Sequence, residues 1–480
     1  MKQWMGILLP ALVLAATSAA FAAPDADQLY QQGVKDYKSG NLAAAQSELK
    51  QYLVAAPQDG PAHGLLGYIY LRNNDAADAI LHLKQAVAIT PKDYSAHNNL
   101  GAAYLKANQT DAAIAEYKIV TAATPASASA HFNLGNAYAQ LEQYPAAIKE
   151  YQLSIARQPS APTYINLGYA LEKSGKFAPA AEAYRSAAAI DPKNSSAWLN
   201  AGLLYQQTGD TGKAIGALSR AVALGTEHKY PAHFALGEAY AATNRQPEAI
   251  SEFQVASRLQ PKEFAPWFNL AIVQSRAGDL LASIAAYRKA LEIKPGDKAT
   301  TLNLGIALGD AGKTDEAIAL LNQVADADPD GAEAHVALGE IYTRQGDYAK
   351  AKGELKTALE NKPDDLDIKL ALADLYYAQK NYLDAVTLYD NVAKAEPRNS
   401  NAQNSRGLAH EALGDLVTAI DAFQAALDAD PKNAIAQNNL GVVYEKQGRT
   451  TVALAAYRKA VQIDPNLKEA RENVSRFSRK

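Results

Sequence analysis

A 34-residue period runs through this sequence and restricts what the chain can fold into more than any other feature. The segments LGAAY (100–104), LGNAY (134–138), LGEAY (236–240), LGEIY (338–342) and LGVVY (440–444) are in phase, their glycines 34, 102, 102 and 102 residues apart. Intermediate copies supply Gly33, Gly67, Gly168, Gly202, Gly305 and Gly407, with Ala271 and Ala373 in the same place. The chain thus holds thirteen repeats, beginning at residues 26, 60, 94, 128, 161, 195, 230, 264, 298, 332, 366, 400 and 434. A small residue stands at the eighth place of each. A second follows twelve residues on, as at Ala79, Ala113, Ala147, Ala249, Ala317 and Ala453. Four further comes a large residue, such as Tyr117, Tyr151, Tyr184, Phe253, Tyr287, Phe423 or Tyr457. A proline closes most repeats, from Pro57 to Pro465.

Within each repeat, apolar residues recur at helical spacing on two stretches, separated by a turn with Gly40, Gly175, Gly209, Gly278, Gly312, Gly346, Gly414 or Gly448 in eight copies. The small residues let two helix backbones approach, and the large one fills the groove beside them. Proline cannot continue a helix and forces a break before the next repeat. A lone helix pair cannot bury its apolar face, so neighbours must stack. The expectation is all-α, a single solenoid instead of the three domains that 480 residues would suggest. Two junctions deviate. Gly135 and Gly168 are 33 residues apart, and Gly202 and Gly237 are 35 apart, with Leu224-Gly225-Thr226-Glu227-His228 in place of the proline. The second marks a candidate weak junction near 224–230.

These residues resemble the tetratricopeptide repeat family over roughly residues 26–467. The resemblance implies a right-handed superhelical solenoid whose first helices line a concave face, and a role in binding protein or peptide clients. It also accounts for 26 tyrosines against 9 phenylalanines, because the eleventh place (Tyr70, Tyr104, Tyr138, Tyr205, Tyr240, Tyr342, Tyr376, Tyr444) takes one as well. Residues 468–480 read as a polar capping helix, carrying Lys468, Glu469, Arg471, Glu472 and Arg476.

Residues 1–22 read as a secretory signal peptide. Lys2 precedes a short apolar run, Ile7 to Ala16, and Ala20-Phe21-Ala22 offers a cleavage site. The rest of the chain is then expected to be exported, periplasmic or extracellular, with no membrane span after cleavage. An uncleaved N-terminal anchor is the alternative.

Several chemistries are excluded or unsupported. A formal charge of −4 gives no basic excess for nucleic acid. The absence of cysteine removes disulfides, thiolate zinc sites and a Cys nucleophile. Gly309 to Thr314 imitates a phosphate-binding loop, yet position 307 is Ala where the motif requires Gly. His410-Glu411 lacks a second His, since residue 414 is Gly. Five histidines (His63, His97, His131, His233, His335) share the fourth place with Trp198 and Trp267, which reads as a half-buried packing position; single histidines on separate layers cannot share a zinc ion. No cofactor and no catalytic residue is expected.

One ladder points to binding. Asn99, Asn133, Asn166, Asn200, Asn269, Asn303 and Asn439 occupy the sixth place, on first helices, with breaks at Ala235, Ala337, Ala371 and Ser405. In the family this looks like the asparagine ladder of O-linked N-acetylglucosamine transferase. A carboxamide both donates and accepts, so it can pair with a peptide backbone whatever the side chains. Lys38, Arg72, Lys106 and Lys173 take the thirteenth place of early repeats; Glu333, Glu340, Asp367 and Asp374 stand in repeats ten and eleven. The fifth place has no lysine (Tyr30, Gly64, Asn98, Phe132), a departure from the carboxylate clamp of chaperone-binding relatives. The expectation is a non-catalytic interaction scaffold binding extended clients. The alternatives are an envelope assembly factor for polysaccharide export or pilus biogenesis, and a substrate-recruiting subunit of a separate glycosyltransferase.

Overall fold

The structure is a computed structural model describing residues 25–478; the signal-peptide reading of 1–22 lies outside the described residues. Twenty-seven α-helices follow one another, with no strand among the described residues. First helices start at residues 26, 60, 94, 128, 161, 195, 229, 264, 298, 332, 366, 400 and 434, and a last helix runs over Lys468–Ser478. The chain divides into two compact halves, one ending at His228 and the other beginning at Lys229.

Inside a repeat the two helices touch through the eighth place. A Cβ built on Gly135 would lie 2.7 Å from the Tyr151 ring, closer than carbon atoms approach. Tyr151 itself is 1% exposed, so the ring rests directly on the glycine backbone. The turn between the helices needs a left-handed residue. Gly40 and its seven counterparts have positive φ, and the remaining repeats use Asn74, Asn108, Glu142, Asn244 and Lys380, at φ of 56–63°. Each closes its first helix with a six-to-one hydrogen bond, such as Asp75 N to Tyr70 O at 2.9 Å.

Second helices end where the next residue must be extended to precede proline: Thr90 and Thr124 have ψ of 78° and 62°. The next first helix is then capped by a side chain. The Asp93 carboxylate, for example, accepts from Ser95 N and Ala96 N at 3.0 Å. The Gly225 segment differs. Its φ is 72°, and Thr226 N bonds to Ala221 O at 3.2 Å, so a glycine stop replaces the proline one.

The fourth place does more than pack. In several repeats its side chain tethers the first helix to the proline carbonyl six residues earlier: His97 Nε2 to Pro91 O at 3.1 Å, Trp198 Nε1 to Pro192 O at 3.3 Å, Trp267 Nε1 to Pro261 O at 3.1 Å. The other ring nitrogen reaches a carboxylate on the second helix in four repeats, as His97 to Glu116 and His131 to Glu150, both at 2.6 Å, whereas His63 meets His82 at 3.0 Å. This ties both helices of a repeat to the joint before it.

Candidate functional site

In the N-terminal half the sixth-place amides lie on successive first helices, and the structure shows them bonded sideways. Asn133 Nδ2 donates to Asn98 Oδ1 at 2.7 Å, and Asn166 Nδ2 donates to Asn136 Oδ1 at 2.8 Å. Asn136 also accepts from the Tyr151 hydroxyl at 2.8 Å. The second-helix tyrosine thus passes beneath its glycine and presents its oxygen to the first-helix face that carries the amides. Tyr184 does the same toward Glu172 and Asn200, and burial lifts both phenols above their ordinary pKa. These bonds use N–H groups and leave the Oδ1 acceptors of Asn133 and Asn166, while the Asn166 amide also reaches the Tyr151 hydroxyl. Asn99 has no partner among the described residues and lines an open cleft of about 370 Å³ with Tyr37, Gly64, Leu65, Tyr68 and Asp93.

Gly64 leaves its part of the cleft wall without a side chain. A Cβ there would meet only Ala86 and the Asp93 carboxylate, both at 3.8 Å, so no packing demand excludes a side chain. The Tyr37 and Tyr68 rings stand edge to face at its wall, 6.0 Å between centroids.

The four basic residues separate into two kinds. Lys106 Nζ donates to the Leu71 carbonyl at 3.1 Å and Asn74 Oδ1 at 3.0 Å, closing the end of the preceding first helix. Lys173 lies over the Tyr169 ring, 5.5 Å from its centroid. Lys38 and Arg72 are exposed, with no partner among the described residues.

The C-terminal half differs. Asn269 and Asn303 are half-buried, with no hydrogen-bond partner among the described residues, and alanines interrupt the row after them. Asn439 donates to Asn404 Oδ1, and Asn473 of the last helix to Asn438 Oδ1, both at 3.0 Å. The last helix therefore docks in the register of one more first helix, with Ala470 fully buried, a detail its charged sequence concealed. Of the acidic residues, Glu333 pairs with Lys362 at 2.7 Å, which holds its carboxyl below the usual range. Asp367 is exposed. Glu340 is open to solvent on one side, yet desolvation by the surrounding wall, helped by Asp310 and Asp374, raises its pKa. Desolvation likewise raises that of Asp374, against the opposing effect of the Tyr389 hydroxyl that donates to it. Arg344 is paired with Asp310 at 3.0 Å and Lys446 with Glu411.

Among the described residues, no three His, Asp or Glu side chains converge as a metal site would require. No described helix is long and apolar enough to cross a membrane.

A sequence model of the tetratricopeptide repeat matches residues 98–162, 165–229, 200–264, 234–298, 302–365, 370–434 and 418–467. The chain belongs to the tetratricopeptide repeat family. A second repeat model of that family matches residues 67–108. Similar solved structures include the APC/C hetero-tetramer Cut9–Hcn1, at 13% identity over 95% of this chain and 96% of that one, with a TM-score of 0.44. A tetratricopeptide repeat protein from Parabacteroides merdae ATCC 43184 aligns at 19% identity over 52% and 98%, TM-score 0.44. MamA 41-end from Desulfovibrio magneticus RS-1 aligns at 22% over 36% and 98%, TM-score 0.34. No curated protein matches the sequence. An all-α tetratricopeptide solenoid of this kind fits a protein-interaction role.

Proposed function

We propose that the protein is a non-catalytic scaffold that holds an extended segment of a client protein along the concave face of its N-terminal half. The observation that carries this reading is the uninterrupted row Asn99, Asn133, Asn166 and Asn200, one carboxamide per consecutive first helix. An extended strand presents alternating N–H and C=O groups, and the free donor and acceptor edges of these amides match them without reading side chains. The cleft beside Asn99 supplies an anchoring position for one client side chain. Lys38 and Arg72 favour acidic segments, an attraction that weakens as salt rises. Export directed by residues 1–22 is part of the proposal, and places the clients outside the cytoplasm.

The test is site-specific photo-crosslinking with the full chain in its native cells. A photoreactive residue replacing Leu65, in the cleft, should capture client protein. The same residue replacing Val417, which is 68% exposed on a second helix, should not. Equal capture at the two positions would remove the concave face as the site.

A further inference from the structure

The eleventh place of the first helix is tyrosine in eight repeats. There the ring fills a crevice against the preceding second helix, often beneath a lysine of that helix: Lys50 over Tyr70 at 5.1 Å, Lys84 over Tyr104 and Lys118 over Tyr138 at 5.9 Å. Repeat 8 breaks this arrangement on both sides. Its eleventh residue is Gln274, and the residue in the lysine's place, twenty positions earlier, is Gln254. The facing second helix, Leu280–Ile293, contributes Ala285 and Ala286 at the same level. The result is an open cleft of about 430 Å³ within the C-terminal half, walled by Trp267 and by these small residues, with Arg258 at its edge.

The floor of this cleft is polar and incompletely bonded. Gln274 is 6% exposed, and its buried Oε1 has no hydrogen-bond partner among the described residues. A buried amide oxygen left unpaired costs free energy. Rotation about the terminal torsion can present either end of the amide to an incoming group. A phenol suits both orientations, because its hydroxyl donates and accepts. Its ring has the shape that eight other repeats place in this crevice. Arg258, whose Nε is held on the Gln254 carbonyl at 3.1 Å, supplies a cation near the ring, as lysine does elsewhere.

We propose that this cleft is a receptor for a tyrosyl side chain presented by another protein, which replaces from outside the ring that repeat 8 lacks. It is a site separate from the concave face.

The probes are N-acetyl-tyrosinamide, its phenylalanine counterpart and p-cresol, each titrated into the full chain and followed by saturation-transfer NMR and Trp fluorescence. N-acetyl-tyrosinamide should bind several-fold more tightly than the phenylalanine amide and at least as tightly as p-cresol. The decisive variant is Gln274→Tyr, which restores the residue of the eight tyrosine repeats. It should keep or raise the melting temperature while weakening the tyrosinamide at least tenfold. Ala286→Leu, which fills the cleft from the opposite wall, should do the same. Equal affinity for the two amides, binding of p-cresol without the tyrosinamide, or unchanged binding in a folded Gln274→Tyr protein would each overturn the proposal.

Discussion

The two halves of the chain share one helical frame and carry different residues on their first helices. Before His228 the sixth place runs unbroken from Asn99 to Asn200, and Lys38 and Arg72, in the two repeats before it, have no partner among the described residues. After Lys229 the row is interrupted, Glu340 and Asp374 stand at the ninth place, and Arg344 and Lys446 are already paired with carboxylates. The eighth place, the small residue twelve later and the large residue beyond it keep their character in both halves. Frame and surface therefore occupy separate places of the same repeat, and the surface places are free to vary without disturbing the stack.

The largest expected effect tests the frame. Gly135→Leu drives a side chain into the Tyr151 ring and should cost about 3 kcal/mol or more. Because coupling passes only between neighbours, hydrogen exchange should accelerate first in repeats three to five and leave the C-terminal half protected. Uniform acceleration along the chain would dissolve the distinction between local frame and whole molecule.

A smaller effect should be equal in both halves. Glu142 and Lys380 hold left-handed backbone at φ 58°, a conformation costly for residues with a Cβ. Glu142→Gly and Lys380→Gly should each stabilise by about 1 kcal/mol, somewhat offset by the extra freedom of glycine in the unfolded chain. A gain in only one half, read by denaturant unfolding, would mean that the turns are not equivalent.

The amides sharpen the contrast. Asn133→Ala breaks a bond between adjacent first helices and should cost about 1 kcal/mol, whereas Asn99→Ala and Asn303→Ala break none and should leave the melting temperature unchanged. Equal losses at all three would show that the sideways bonds do not hold the repeats together.

The smallest effect belongs to the C-terminal face. Since the carboxyl of Glu340 titrates above its ordinary value, the folded state takes up a proton more readily than the unfolded one, and the ionised form costs stability at neutral pH. That cost fades as pH falls through the raised value. Glu340→Gln should therefore raise the melting temperature at neutral pH and coincide with the parent in acid. A constant difference across pH would contradict desolvation as the cause.

The frame was legible in the sequence because close packing leaves its residues no alternative. Twelve of the thirteen first helices begin where the repeat register begins them, and Lys229 starts one residue early after the glycine stop. Three features were less visible. The left-handed turn residues Glu142 and Lys380 carry no glycine to announce them. The role of the fourth place needed the partner position: His97, His131, His233 and His335 each have a glutamate nineteen residues later, whereas Trp198 and Trp267 have an alanine. That pairing is present in the sequence and distinguishes a fourth-place side chain bonded to its own second helix from one bonded only to the preceding proline carbonyl. The bonding state of the amides was not readable at all, because Asn133 reaches Asn98 and Asn166 reaches Asn136 only through the stagger between neighbouring helices.

The central claim is that the amide row of the N-terminal half holds the client, and its most direct test is the affinity of the crosslinked client for two folded variants. Asn99→Ala combined with Asn200→Ala removes two of the four carboxamides while sparing both bonds between first helices. At about 0.5–1.5 kcal/mol per hydrogen bond, affinity should fall roughly 5- to 150-fold with the melting temperature held, while Glu340→Gln combined with Asp374→Asn should bind as the parent does. Unchanged affinity in the asparagine variant, or a loss confined to the acidic one, would contradict the account.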